Sequence, residues 1–358
     1  MNEIPDLRLI QESSENSLDK NPSAPKAIVL LSGGLDSAIA AKLVIDQGIN
    51  VVALNFHSPF CTCSSNSKYN QCGAVYFASR LRIPIKTISK GDDYLEIVKN
   101  PKFGYGKNMN PCIDCRIHIL EKTKAYMKEI GAKFVVTGEV LGQRPKSQML
   151  HALQTIERAA NMEGKILRPL SAKLLPPTDI EKEGIVDREK LLAIHGRRRN
   201  IQVELGKNYE LIQQYCAGGG CRLTDKNFAR KLRDYFDNNP VPQMKHMKYL
   251  KIGRHFRYEG AKIIVGKDEQ ENKMLETWAQ KSDVILSVKN IKGPSTLVQA
   301  PKTDAQIKFA AQLTLRYSDA ISGDYIVEVR NSRINNQWTD ITIQQDPEIM
   351  QKIEEYRV

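Results

Sequence analysis

Lys26-Ala-Ile-Val-Leu-Leu31 runs without a break into Ser32-Gly33-Gly34-Leu35-Asp36-Ser37. The first half is a short apolar run with no polar alternation, which predicts a strand buried on both faces. The second half is a glycine turn. Ala38 to Gln47 then reads as a helix closed by Gly48. Asn50-Val-Val-Ala-Leu-Asn-Phe56 supplies a second strand. A strand, turn, helix and strand in this order predict a parallel sheet with helices on both faces.

The alternation continues outward. Residues 73–81 read as a helix, 83–88 as a strand, 112–130 as a helix ending at Gly131, and 133–137 as a strand. Residues 148–160 read as another helix, and Leu167-Arg168-Pro169-Leu170 falls where a further strand should end. The expectation is a doubly wound α/β domain over 26–207, after a flexible leader at 1–25. Ligands of such sheets lie beyond the carboxyl ends of the strands. The Ser32–Ser37 turn, Gly138–Gln143 and Arg168–Leu170 all fall there.

After Asn208 the rhythm breaks. Residues 208–243 form a Cys/Gly-rich and basic connecting segment, ending in Asn239-Pro240-Val241-Pro242. Short strands at 261–265 and 284–288 with helices near 269–280 and 305–319 predict a smaller α+β domain over 244–330. A tail at 331–358 carries no clear pattern.

The 358 residues carry 53 Lys+Arg against 41 Asp+Glu, a net charge of +12. Such a field attracts polyanions. From Arg222 to Arg257 ten Lys/Arg stand against three Asp/Glu, interleaved with Tyr235, Phe236, Tyr249 and Phe256. Cations of this kind grip phosphates, and aromatic faces can stack on bases. With no secretory pattern and no apolar run long enough for a bilayer, the expectation is a cytoplasmic chain with no membrane partner.

The glycine turn lets backbone approach an anion at a helix N-terminus, where free N–H groups favour pyrophosphate. Ser32 and Ser37 add hydroxyls. Asp36 would repel a bare phosphate, so it reads either as a partner of magnesium or as a brace for the loop. Seven cysteines, an odd number, argue against a disulfide framework. Cys112 and Cys115 form a C-x-x-C pair at a loop-to-helix junction, where thiol pKa falls. The pair alone is ambiguous between zinc, iron–sulfur and redox use. Gly218-Gly219-Gly220-Cys221 lets the chain bring in a third thiol. Cys61, Cys63 and Cys72 offer a C-x-C-x8-C spacing for a second metal, with His57 the nearest fourth ligand. Cys216 is a weaker candidate beside Cys221.

Ser32-Gly33-Gly34-Leu35-Asp36-Ser37 resembles the PP-loop of the ATP pyrophosphatases, which cleave ATP between the α and β phosphates and adenylate a carbonyl oxygen. Asn110-Pro111-Cys112-Ile113-Asp114-Cys115, with Cys221, resembles the tRNA 2-thiouridine synthetases. Thr137-Gly138-Glu139-Val140-Leu141-Gly142-Gln143, with Arg168-Pro169-Leu170, is similar to the tRNA 4-thiouridine synthetases. The resemblance spans about 26–224. It implies that Ser32, Gly33, Gly34, Asp36, Ser37, Gly138, Gln143 and Arg168 bind ATP with Mg2+. It also implies that Asp36, Cys112, Cys115 and Cys221 are catalytic. The three cysteines would hold a 4Fe-4S cluster or carry sulfur from a donor, either sulfide or a cysteine desulfurase. No rhodanese-like segment and no N-terminal RNA-binding extension of the 4-thiouridine synthetases is evident.

Arg254-His255-Phe256-Arg257-Tyr258, Ile263-Ile264-Val265-Gly266-Lys267-Asp268 and Lys292-Gly293-Pro294-Ser295 resemble the RNA-binding domain of the NFACT proteins. The resemblance implies that Arg254, Arg257, Lys267 and Lys292 contact tRNA phosphates. The expected function is ATP-dependent thiolation of a tRNA uridine, with 4-thiouridine ahead of 2-thiouridine. The alternatives are sulfur transfer to a thiamine-type small molecule and a non-catalytic tRNA-binding or ribosome-rescue factor.

Overall fold

The computed structural model describes residues 23–62, 72–211, 220–321, 323–331 and 338–358. Two compact units divide at Asp225/Lys226.

The first unit is built on five parallel strands: β1 (Lys26–Leu30), β2 (Asn50–His57), β3 (Ile85–Ser89), β4 (Phe134–Thr137) and β5 (Ile166–Leu167). Their order is β3-β2-β1-β4-β5. The helices are α1 (Leu35–Ile45), α2 (Gly73–Leu81), α3 (Asp92–Lys99), α4 (Cys112–Ile130), α5 (Leu150–Ala159), the short α6 (Asp179–Lys182) and α7 (Asn200–Asn208). The period-two geometry of a strand sends Ala27 and Val29 to one face and Ile28 and Leu30 to the other. The first pair packs with Ile39 of α1 and Phe77 of α2. The second packs with Leu120 of α4 and Ile156 of α5. Both faces are therefore covered, which is why β1 carries no polar alternation. Strand order reverses between β1 and β4, so the crevice beyond their carboxyl ends is the place this sheet offers a ligand.

The second unit carries a six-stranded sheet. Its strands are β6 (Arg254–Tyr258), β7 (Ala261–Val265), β8 (Val284–Val288), β9 (Thr296–Gln299), β10 (Asp324–Asn331) and β11 (Trp338–Gln344). The order is β11-β10-β8-β9-β7-β6, and every neighbouring pair is antiparallel. Its helices are α8 (Lys226–Asn238), α9 (Glu269–Trp278), α10 (Asp304–Arg316) and α11 (Pro347–Lys352). Phe309 and Leu313 of α10 cover the face that holds Ile263 and Val298. Leu275 of α9 covers the opposite face with Ile264 and Leu297.

Two boundaries differ from the sequence reading. The connecting segment 208–243 is split: Cys221 lies in the first unit, and α8 lies in the second. Hydrogen bonds hold the Cys221 end, with Met109 N donating to Leu223 O at 3.0 Å, while α8 buries Phe228, Leu232 and Phe236. The tail is not patternless either. β11 extends the sheet through β10, and Val358 N donates to His255 O at 2.8 Å. Among the described residues no helix is long and apolar enough to cross a membrane.

Candidate functional site

The glycine turn leaves β1 and enters α1 across two tight contacts. Gly33 has φ +81°, and a Cβ there would lie 2.9 Å from Ala74 N. A Cβ on Gly138, just past β4, would collide with the backbone of Ser37. Both glycines are therefore required by close backbone approach rather than by flexibility alone. Ser37 Oγ donates to Gly34 O at 2.8 Å and accepts from Ser32 N at 3.2 Å. Ser32 Oγ lies 3.2 Å from Ser37 Oγ. The hydroxyls tie the turn to the start of α1.

Asp36 sits in the first turn of α1. Its carboxylate accepts from Gln143 Nε2 at 3.2 Å and from Arg199 Nη2 at 3.0 Å. The brace reading of Asp36 therefore has a physical basis, and it ties the turn to the Gly138–Gln143 loop. Arg199 was not singled out from sequence. The run Arg197-Arg198-Arg199 before α7 was the available signal, because three adjacent cations at an element end are unusual for a bare core.

Arg168 is placed differently from the expectation of a nucleotide contact. It is 4% exposed, donates from Nε to Glu139 Oε2 at 3.0 Å, and pairs through Nη1 with Glu157. Glu139 also meets Arg116 Nε at 3.3 Å. Burial, the largest single influence, pushes the Glu139 pKa up, but Arg116, Arg168 and the Thr137 hydroxyl together outweigh it and hold the carboxyl below its ordinary value. Arg168 thus holds Glu139, which joins α4 to the loop after β4, while its Nη2 is buried without a hydrogen-bond partner among the described residues.

The cysteines meet at the same carboxyl edge. α4 runs back toward the start of β4, so its first residues, Cys112 and Cys115, lie where β2 and β3 end. Lys90, just past β3, is bound there through its N–H to His57 O at 2.9 Å. Its ammonium donates to Cys115 Sγ at 3.0 Å and lies 4.2 Å from the ring centre of Tyr94. Burial is the largest influence on Cys115 and raises its pKa. The Lys90 charge and hydrogen bond, the Tyr94 hydroxyl and Arg116 overcome it, so the thiol ionises below its ordinary value. Cys112 goes the other way, raised by burial and by the charge of Cys115. Cys221 is pushed up to about 12, chiefly by burial. Tyr94 is raised too, by burial and then by Cys115, with Cys221 and Cys61 adding to it. Lys90 and Tyr94 carry no signal in sequence.

Cys221 reaches this edge through a set of backbone contacts. Arg222 N donates to Phe60 O at 2.8 Å and Thr62 N to Gly220 O at 3.3 Å. Asn108 Nδ2 donates to Thr224 O at 2.7 Å. Cys61 pairs with Cys221 in an isolated antiparallel bridge. Cys72 is half-buried against the α1 core instead. Cys63 and Cys216 lie outside the described residues. Among the described residues no three His, Cys, Asp or Glu side chains are placed to hold one metal ion. Cys112, Cys115 and Cys221 do come near one another, since Cys115 acts on the ionisation of both others, and an ammonium occupies one side of Cys115. The second-metal reading of Cys61, Cys63 and Cys72 includes Cys63 and so lies partly outside the described residues.

In the second unit the four candidate RNA contacts separate. Lys267 and Lys292 are exposed. Arg254 stacks 4.5 Å from the Tyr317 ring centre and donates to Gly266 O. Arg257 grips Asp234 with two bonds of 2.6 and 2.8 Å, so its guanidinium serves the fold. Tyr235, Phe236, Tyr249 and Phe256 are all buried. They pack the interior and offer no face for stacking on bases. The exposed face of α8 instead shows Lys226, Arg230 and Arg233.

Residues 23–188 match the family described as thiamine biosynthesis protein (ThiI), and residues 253–357 match the NFACT protein RNA binding domain. A probable tRNA sulfurtransferase of Thermococcus kodakarensis is 28% identical over 163 residues, 45% of this chain and 39% of that protein. The tRNA-specific 2-thiouridylase MnmA of Flavobacterium johnsoniae is 32% identical over 124 residues, 32% of this chain and 31% of that protein. A solved 4-thiouridine synthetase–RNA complex with bound ATP is 23% identical, with a TM-score of 0.34 over 63% of this chain and 52% of that one. The chain therefore spans 39% and 31% of the length of these two relatives. The chain thus joins a region matching the ThiI family, built on the parallel sheet and its glycine turn, to a region matching the NFACT RNA-binding domain.

Proposed function

We propose that this protein is an ATP-dependent tRNA sulfurtransferase that converts a uridine carbonyl to a thiocarbonyl, with 4-thiouridine favoured over 2-thiouridine. One observation carries the reading: a thiol with a stabilised anion, Cys115 beside Lys90, lies at the same sheet edge as an anion-binding glycine turn.

The turn's free N–H groups hold the pyrophosphate end of ATP. Magnesium comes with the phosphate oxygens, and Asp36 is the carboxylate on that turn able to share it. The base carbonyl oxygen attacks the α-phosphorus, pyrophosphate leaves, and the oxygen becomes part of a good leaving group. Cys115 accepts sulfane sulfur from a donor persulfide, such as that of a cysteine desulfurase, because the thiolate is the attacking form. The terminal sulfur then attacks the ring carbon and AMP departs. Uridine must leave its stack for this chemistry. The second unit supplies the grip on tRNA elsewhere, through exposed cations such as Lys267 and Lys292.

The preference for the 4 position rests on the likeness of Thr137–Gln143 to the 4-thiouridine synthetases, which is longer than any 2-thiouridine-only feature outside the cysteines. A second reading keeps Cys112, Cys115 and Cys221 as 4Fe-4S ligands. The electrostatic proximity of Cys115 to both other thiols favours it, and the Lys90 ammonium bound to Cys115 Sγ opposes it.

Purified protein incubated with tRNA, ATP and a desulfurase with cysteine tests the proposal by nucleoside mass spectrometry. The expected product is 4-thiouridine. Cys115→Ser should keep ATP–pyrophosphate exchange and lose thiolation, whereas Asp36→Ala should lose both. Thiolation of a thiamine precursor with tRNA untouched would overturn the tRNA reading, and tRNA binding without ATP cleavage would overturn the enzyme reading. Iron and acid-labile sulfide in stoichiometric amounts would transfer the sulfur step to the cluster.

A further inference from the structure

Cys61 belongs to no part of the mechanism so far, yet the backbone places it opposite Cys221. The two hydrogen bonds that flank the pair, Thr62 N to Gly220 O and Arg222 N to Phe60 O, bracket Cys61 and Cys221 from outside. That pattern defines a non-hydrogen-bonded antiparallel pair. In such a pair the Cα atoms are about 4.5 Å apart and the side chains lie on the same face. Disulfides span Cα separations of about 4.4–6.8 Å. Thr62 Oγ1 donates to Gly220 O at 2.9 Å and reinforces the register. Ser58 Oγ lies 3.6 Å from Cys61 Sγ, and both cysteines are only partly buried. Cys115 lies close enough to Cys221 to act on its ionisation.

We propose that Cys61 and Cys221 close into a reversible cross-strand disulfide, and that Cys61 is the thiol that completes sulfur transfer and carries the oxidising equivalents out to a reductant. The role in sulfur transfer rests on the function proposed above; the disulfide itself does not. After AMP has left, the base is joined through S–S to Cys115. Cys221 gives its proton to the departing base sulfur as it attacks Cys115 Sγ, that S–S bond breaks, and the base departs with its sulfur as the thiocarbonyl. Cys61 then attacks Cys221 Sγ, forming the Cys61–Cys221 bond and releasing Cys115. The two thiols give up two electrons and two protons, the protons passing to the base sulfur and Cys115. Cys115 is the better leaving group of the pair because Lys90 stabilises its anion. A dithiol reductant reopens the disulfide for the next turnover.

The full chain carrying Cys63→Ser and Cys216→Ser makes the test unambiguous, since tryptic peptides 43–68 and 208–222 then hold one cysteine each. Diamide oxidation and non-reducing mass spectrometry should find these peptides joined. Cys61→Ser in the same background should leave ATP–pyrophosphate exchange unchanged. With a desulfurase and cysteine as sulfur source, and thioredoxin at a level that sustains multiple turnovers of the parent, it should fall to a single turnover per chain, restored by excess dithiothreitol. The absence of the joined peptides after oxidation overturns the disulfide. Full turnover by Cys61→Ser overturns its role in the reaction. If the peptides join in protein that thiolates no RNA, the disulfide stands, and both the resolving role and the proposed function fall.

Discussion

Lys90 acts on one sulfur atom, and its contribution can be read from that atom alone. The ammonium at 3.0 Å holds Cys115 below the ordinary thiol value of 9.0. Lys90→Met removes the charge and leaves burial to dominate, so the Cys115 pKa should rise. Alkylation of Cys115 by iodoacetamide should then be slower at neutral pH, with the difference closing only as pH passes the raised value of the variant's thiol. The sign for stability follows from linkage. A lowered thiol pKa stabilises the fold above the unfolded value, and that stabilisation is lost as pH falls through the folded value. An unchanged alkylation profile in Lys90→Met would show that the ion pair does not set the reactivity of Cys115. Arg168 gives the opposite kind of prediction. Its loss leaves Glu139 and Glu157 short of a buried partner, and breaking such a pair costs about 3–5 kcal/mol. Arg168→Met should therefore lower the urea midpoint strongly, with ATP affinity following stability rather than falling independently.

At the scale of elements, the site depends on backbones that touch. Gly138→Ala adds a methyl where the loop after β4 meets the start of α1. The neighbours are main-chain atoms that cannot rotate away, so the loop must move and Gln143 must leave Asp36. Nucleotide binding measured by calorimetry should be lost while the melting temperature falls only modestly; retained binding would contradict the contact. Arg199→Ala tests the same joint from α7 and should weaken ATP binding without changing thiol reactivity. The elements themselves were largely legible. β1 reads as a two-face-buried strand because all its neighbours are apolar, and α1 follows because small alanines let it bury nearly all round. β10 shows why other elements were overlooked. Val327 and Val329 are buried while Ile326 is exposed, a period-two pattern interrupted by an apolar residue on its outer face. Tyr235, Phe236, Tyr249 and Phe256 show the converse error: aromatics among cations resemble a stacking surface in sequence, but a chain folding back on itself buries them.

At the scale of the molecule, the chain is two compact units, and the proposed function gives each its own duty. Phosphate contacts at the second unit should be felt as a salt-dependent grip on tRNA. Lys267→Ala and Lys292→Ala should each weaken tRNA binding and lower the slope of log affinity against log salt by about 1. ATP–pyrophosphate exchange on the first unit should be unaffected. Arg257→Ala is expected to act through stability instead, because Asp234 takes up its guanidinium. Equal salt slopes for the lysine variants and the parent chain would move the RNA-binding face elsewhere.

Sequence alone determined the parallel sheet, the glycine turn at its edge, the three thiols worth watching and the presence of a basic second domain. These follow from local patterns: apolar runs, glycines at turns, and spacing within one helix. Tertiary structure alone decided that Arg199 braces Asp36, that Arg168 and Arg257 serve carboxylates, that Lys90 charges Cys115 and that Cys61 faces Cys221. Each of these joins residues far apart in the chain through hydrogen-bond register or burial, and a linear pattern holds no record of which distant groups a fold will bring within a few ångströms.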